Sequence, residues 1–228
     1  MGWIEYVAAL LFFMASHRVP ATPALKTRLE GLFGRRGYII VFSVLSTLLL
    51  VWVISAAARA PVVTLWDQAI WHRWLLNLTM PVVVALVAFG VGAPNPFAFE
   101  GRASGFDPAN PGIAGLTRQP LLWAMALWSA AHLLANGDLA HAILFGLFLA
   151  FSLAGMWIVE RRRRLAIGDG AWGEITARTS LFPFAALISG RWRPRGLPSP
   201  MRAAIWLVSW AALWHLHEPV IGVWPGVG

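Results

Sequence analysis

The chain has 228 residues, of which 58% are hydrophobic and only 12% charged, and its mean hydropathy is +0.65. A chain this apolar and this short cannot bury its side chains in a water-soluble fold, which excludes soluble enzymes and soluble binding domains and leaves an integral membrane protein. The balance of 18 Lys and Arg against 10 Asp and Glu reads in such a chain as a topology signal rather than a nucleic-acid footprint, and the absence of cysteine excludes disulfides, thiolate metal centres, iron–sulfur clusters and covalent c-type haem.

The first apolar stretch, residues 3–19, carries Glu5 and has no basic residue ahead of it. That is unlike a cleavable signal peptide, so the stretch is expected to remain in the mature protein. It holds His17 near its end. Residues 38–58 and 74–93 form the second and third stretches. The Pro- and Gly-rich segment 92–115 has no helical period and reads as a loop, without a second domain.

The fourth stretch, 120–135, follows Arg118-Gln119-Pro120 and contains His132; the tight Asn136-Gly137-Asp138 turn leads into the fifth, 139–159. Residues 181–189 are too short to span and read as an interfacial or re-entrant piece, and 203–224 form the sixth stretch. Judged against the ~20 residues that cross hydrocarbon, these segments predict an all-α, polytopic transmembrane bundle of about six helices, forming one domain over residues 1–228. Small residues at Gly146, Ala150 and Ala154, and at Ala126 and Ala130, are spaced to let the fourth and fifth helices pack as an antiparallel hairpin.

With the N-terminus outside, sixteen of the 18 basic residues fall in cytoplasmic loops and only Arg59 and Arg73 lie outside. The positive-inside rule therefore places both termini in the periplasm of a multi-pass protein of the bacterial inner membrane. Arg161-Arg162-Arg163-Arg164, directly after an apolar segment, reads as a stop to translocation ahead of a lipid-headgroup or nucleic-acid patch.

The six histidines are unequal on this topology. An imidazole within hydrocarbon costs free energy unless something binds it. His132 lies about 12 residues, roughly 18 Å, into its helix, and His17 ends the first segment; together they offer two nitrogen ligands for a non-covalent haem. Side chains lean toward the N-terminus of a helix, so on oppositely directed helices His17 and His132 lean toward each other's depth. His215 reaches the same depth as His132 and is the rival second ligand. His217 faces another side and is expected to hydrogen-bond Glu218 or water. His72, beside Trp71, Arg73 and Trp74, reads as a headgroup anchor, and His141 lies at the same outer boundary.

Several fragments carry a family resemblance: Ser16-His17, Leu32-Phe33-Gly34 through Tyr38, Thr117-Arg118-Gln119-Pro120 leading to Leu127-Trp128, Ala131-His132-Leu133-Leu134-Ala135-Asn136-Gly137-Asp138, Phe145-Gly146, and Thr179-Ser180-Leu181-Phe182-Pro183-Phe184. In these the chain resembles the NnrU family of membrane proteins over nearly its whole length. That family includes the plant and algal 15-cis-zeta-carotene isomerases. The resemblance implies haem b held between His17 and His132. For bacterial members it implies a link to nitrite and nitric oxide respiration. Gln119 stands where the family usually has histidine, and Ser129 where the plant isomerases offer a cysteine as alternative ligand.

The function expected from these readings is haem b binding through His17 and His132, with haem-dependent cis–trans isomerisation of a lipophilic polyene in an apolar slot walled by Trp128, Phe145 and Phe148. The alternative is a non-enzymatic membrane haem or redox factor supporting nitrite and nitric oxide reduction. The expected partners are membrane lipids and a lipophilic substrate or redox partner, with no nucleic acid.

Overall fold

The computed structural model describes residues 2–18, 22–99 and 101–227. Among these the regular structure is helical, in chain order α1 (Gly2–Arg18), α2 (Pro23–Arg59), α3 (Ile70–Gly90), α4 (Ile113–Leu116), α5 (Pro120–Asn136), α6 (Leu139–Ile167), α7 (Asp169–Thr176), α8 (Ala185–Ile188) and α9 (Pro200–Ile221). All six apolar stretches fold as helices. The other three helices are short: α4 lies at the end of the segment expected as a loop, α7 follows α6, and α8 falls within the piece expected to be interfacial or re-entrant.

Three helices, α2, α3 and α6, are long and apolar enough to cross a membrane. At 17 residues each, α1 and α5 rise about 26 Å, less than the ~30 Å of bilayer hydrocarbon. The outward faces are apolar, as a lipid solvent requires: Ile40, Leu48, Leu78, Trp157 and Val208 are all exposed.

Two helix boundaries differ from expectation. α6 does not stop before the arginine tetrad but continues through Arg161–Arg164 to Ile167, because arginine is a good helix former; the helix gives way at Gly168, with φ 85°. α2 begins well before the apolar stretch and is broken at Gly34, where φ 68° and ψ 162° lie in a region open essentially only to glycine.

The chain divides into two compact units, residues 1–67 with 137–144, and residues 68–136 with 145–228. In the first, α1 and α2 pack antiparallel. Glu5 accepts from Arg59 Nη2 at 2.6 Å and from Trp52 Nε1 at 3.3 Å, and farther along Phe12 meets Trp52 and His17 meets Ser46. Residues 63–66 run beside the 137–139 backbone through Leu65 N–H to the Gly137 carbonyl (2.8 Å) and Leu139 N–H to the Val63 carbonyl (2.9 Å). Gly137, at φ 73°, is required twice over, since a Cβ there would collide with the Trp66 carbonyl. Tyr6 is fully buried and donates its hydroxyl to the Ala140 carbonyl at 2.7 Å.

In the second unit α3 packs against both α5 and α9. Arg202, near the start of α9, donates to the Ala88 and Val91 carbonyls at 2.7 and 3.0 Å, and Trp206 Nε1 donates to the Pro81 carbonyl at 2.8 Å. The α5–α6 hairpin expected from the sequence forms: Trp128 meets Phe145, Leu122 lies against Gly155, and Arg118 pairs with Glu160. On α5 the predicted Ala126 is buried, but the packing face of α6 is not the predicted one. α6 buries Phe145, Phe148, Ser152 and Met156, while Ala150 and Ala154 are exposed. Aromatic volume, which removes more apolar surface than a small-residue contact, fills the space between the helices. Residues 93–99 and 101–112 lie at the hairpin's base, where Phe97 is buried against Phe106 and Trp172.

Candidate functional site

α5 starts at Pro120, which suits a first helical position because no intrahelical partner awaits its missing N–H. The residues just ahead of it form a polar seam. Thr117 Oγ1 donates to the Leu181 carbonyl at 2.7 Å, Arg118 N–H to the Ser180 carbonyl at 2.7 Å, and Trp123 Nε1 also to Leu181, at 2.9 Å. Arg118 donates through Nη1 to Thr179 Oγ1 (3.0 Å), stands over Trp172, and pairs with Glu160. Gln119 is buried and uses its whole amide on the 97–99 loop, Nε2 donating to the Phe97 carbonyl (2.8 Å) and Oε1 accepting from Phe99 N–H (3.1 Å). The Thr-Arg-Gln-Pro and Thr-Ser-Leu-Phe-Pro segments, far apart in sequence, are thus stitched directly together.

His132 sits a little over three turns along α5, half-buried. Its Nδ1 lies 2.9 Å from the carbonyl of Trp128. A carbonyl can only accept, so Nδ1 carries a proton, and in the neutral ring Nε2 is then the nitrogen able to ligate a metal. The ring lies between Trp128 and Phe145, with centroids 5.0 and 5.1 Å away, and Phe148 closes on Trp128 at 6.0 Å. The three expected wall residues are therefore gathered at His132. One turn earlier the Ser129 hydroxyl is fully buried and has no hydrogen-bond partner among the described residues.

His17, in the first unit, repeats this arrangement. Its Nδ1 is 2.8 Å from the Phe13 carbonyl and its Nε2 is 2.8 Å from Ser46 Oγ. By the same reasoning Nδ1 donates and Nε2 accepts from the serine hydroxyl. Phe13 and Phe42 flank the ring at 4.3 and 5.4 Å. Both histidines are thus held in one tautomer by the carbonyl four residues back, and in both the residue supplying that carbonyl is aromatic. That pairing, Phe13 with His17 and Trp128 with His132, was available in the sequence as a signal and is the feature the depth argument passed over.

The other histidines have different roles. His72 is not a headgroup anchor: it is 5% exposed, and its Nδ1 accepts the Ala69 N–H at 2.9 Å, capping α3. His141 Nδ1 lies 2.7 Å from Asp138 Oδ2, while Asp138 Oδ1 accepts the His141 N–H at the start of α6. His215 is exposed on α9, edge-on to Trp214. Nδ1 of His217 lies 2.7 Å from the Val223 carbonyl rather than on Glu218, because the chain reverses at Gly222, φ 83°.

The donor set fits a haem: two imidazoles, each with Nδ1 bonded to a backbone carbonyl and each flanked by aromatic rings. Among the described residues there is no cluster of three or more His, Asp or Glu suited to a bare metal ion.

These features define a helical membrane protein in which two histidines each set Nδ1 against the backbone carbonyl four residues back. The chain belongs to the NnrU family, whose model, described as NnrU protein, matches residues 5–225. It is similar to the chloroplastic 15-cis-zeta-carotene isomerases of Zea mays, 38% identical over 81 residues, and of Arabidopsis thaliana, 35% identical over 80 residues. Each match covers 35% of this chain and 22% of the relative, so the chain spans well under half the length of these curated relatives. No solved structure matches it.

Proposed function

We propose that this protein binds haem b through His17 and His132 and isomerises a cis double bond of a lipophilic polyene. The observation that carries the reading is the shared setting of the two histidines, each with Nδ1–H committed to the backbone carbonyl of an aromatic residue four positions back. When bound, the haem iron supplies an electronic contact that lowers the barrier to double-bond rotation. The chain's own part is to hold each imidazole in register, to exclude water, and to present Trp128, Phe145 and Phe148 as an apolar surface for the polyene.

In this reading the protein is multi-pass, with six spans and both termini periplasmic in a bacterial inner membrane. The decisive experiment joins a redox difference spectrum of the detergent-purified protein to an assay with a cis-polyene. Low-spin haem b bands with isomer conversion support the proposal; a preparation that stays colourless after haem reconstitution would falsify it.

A second reading, a non-enzymatic haem or redox factor for nitrite and nitric oxide reduction, is favoured by one contrast. The family model spans residues 5–225, whereas the isomerase matches cover 35% of the chain. Haem bands without isomer conversion select this reading.

A further inference from the structure

Apart from the histidines, the second unit carries a cavity of about 310 Å3 whose lining includes Arg178, Arg191, Arg193 and Arg195 together with Trp192. Two of its guanidiniums are anchored before any ligand arrives. Arg178 Nη1 donates to the Ala109 carbonyl at 3.0 Å; Arg191 donates to the Thr179 carbonyl at 3.1 Å and through Nε to Ser189 Oγ at 3.0 Å. Arg193 and Arg195 make no hydrogen bond to protein among the described residues, and none of the four is ion-paired with a carboxylate there. The indole N–H of Trp192 is buried without an acceptor among the described residues. Four like charges around one cavity repel one another, and a single anion relieves all four contacts at once. Guanidinium forks match the geometry of phosphate oxygens.

The flanks indicate where that phosphate comes from. Ile188 is 83% exposed and Leu197 is 96% exposed, one on each side of the arginine run, and apolar α9 begins at Pro200. Apolar side chains projecting beside a basic cavity suit a segment lying at the lipid interface, with its aliphatic residues in the acyl layer and its arginines at headgroup level. We propose that the cavity binds the phosphate of an anionic membrane lipid.

The test uses the full-length protein in a neutral detergent, read by native mass spectrometry and by thermal melting. The probes are phosphatidylglycerol, phosphatidylcholine and inorganic phosphate. Phosphatidylglycerol should be retained and should raise the melting temperature. Its affinity should fall by about tenfold or more in Arg193→Gln/Arg195→Gln, and in the corresponding single variants by less. Arg161→Gln/Arg162→Gln, on α6 outside the cavity, should bind as the wild type does. Undiminished binding by the cavity variants, or an equal loss in the α6 variant, overturns the site. Equal retention of phosphatidylcholine overturns the selectivity for anionic lipid, and protection by inorganic phosphate as strong as that by phosphatidylglycerol overturns the lipid source.

Discussion

Arg118 and Glu160 form an ion pair across the base of the α5–α6 hairpin, with their side chains 13% and 18% exposed. Arg118 has Thr179 and Trp172 as further partners, whereas the Glu160 carboxylate oxygens have no hydrogen bond beyond this pair among the described residues. The pair closes the hairpin at the end opposite the Asn136-Gly137 turn.

Removing one partner of so shielded a pair leaves an uncompensated charge, so Glu160→Gln should destabilise the protein by about 3 kcal/mol. Replacing both charges with methionine should recover most of the loss, because apolar residues of similar volume spare the desolvation of two ions. Melting temperatures of the single and double variants in detergent check this; a double variant less stable than the single one contradicts it.

His132→Ala should strip most of the haem, while His72→Ala should keep it and lose about 1 kcal/mol of stability with its cap on Ala69 N–H. Haem per protein and melting temperature separate the two effects. Equal haem content in the two variants would assign ligation to another residue.

His17→Ala should change the spectrum from six-coordinate low-spin to five-coordinate high-spin, and His215→Ala, exposed on α9, should not. The spin change appearing only in the His215 variant would transfer the second ligand to α9.

The buried hydroxyl of Ser129, without a partner among the described residues, costs the fold free energy that a methyl group does not. Ser129→Ala should therefore stabilise the haem-free protein by about 1 kcal/mol. Ser152→Ala should bring no such gain, since its hydroxyl already donates to the Phe148 carbonyl at 2.8 Å. A loss of stability in Ser129→Ala would show that the hydroxyl has a partner.

Much of this architecture was legible in composition alone. Long apolar runs fold as helices wherever they occur, and the Asn136-Gly137-Asp138 turn announced the α5–α6 hairpin, since Gly137 supplies a backbone conformation few other residues adopt. What was hidden depends on side-chain destinations. Hydropathy near a boundary made His72 an interfacial anchor; only its position three residues past Ala69 shows that its ring caps a helix. Likewise, small-residue spacing on α6 pointed to Ala150 and Ala154, but which face turns inward is decided by where Phe145 and Phe148 find room. For His132 the sequence yielded depth but not tautomer, which depends on the reach of one ring nitrogen to the Trp128 carbonyl. The role of Gln119 was equally invisible, because the Phe97 and Phe99 backbone groups it binds lie in a loop without periodicity.

The break at Gly34 bears on how this chain matches its bilayer. Counted from Pro23, α2 would stand about 55 Å tall, far too long for any hydrocarbon slab without severe tilt. Counted from the break, the remaining helix to Arg59 rises about 37 Å, close to a bilayer core with its boundary layers. Gly34 therefore works as a length gauge: it separates the stretch bearing Lys26, Arg28 and Glu30 from a helix whose length and apolar composition suit a bilayer. Moving that glycine one turn along the chain would retune the protein to a thicker or a thinner membrane with no change in its apolar composition.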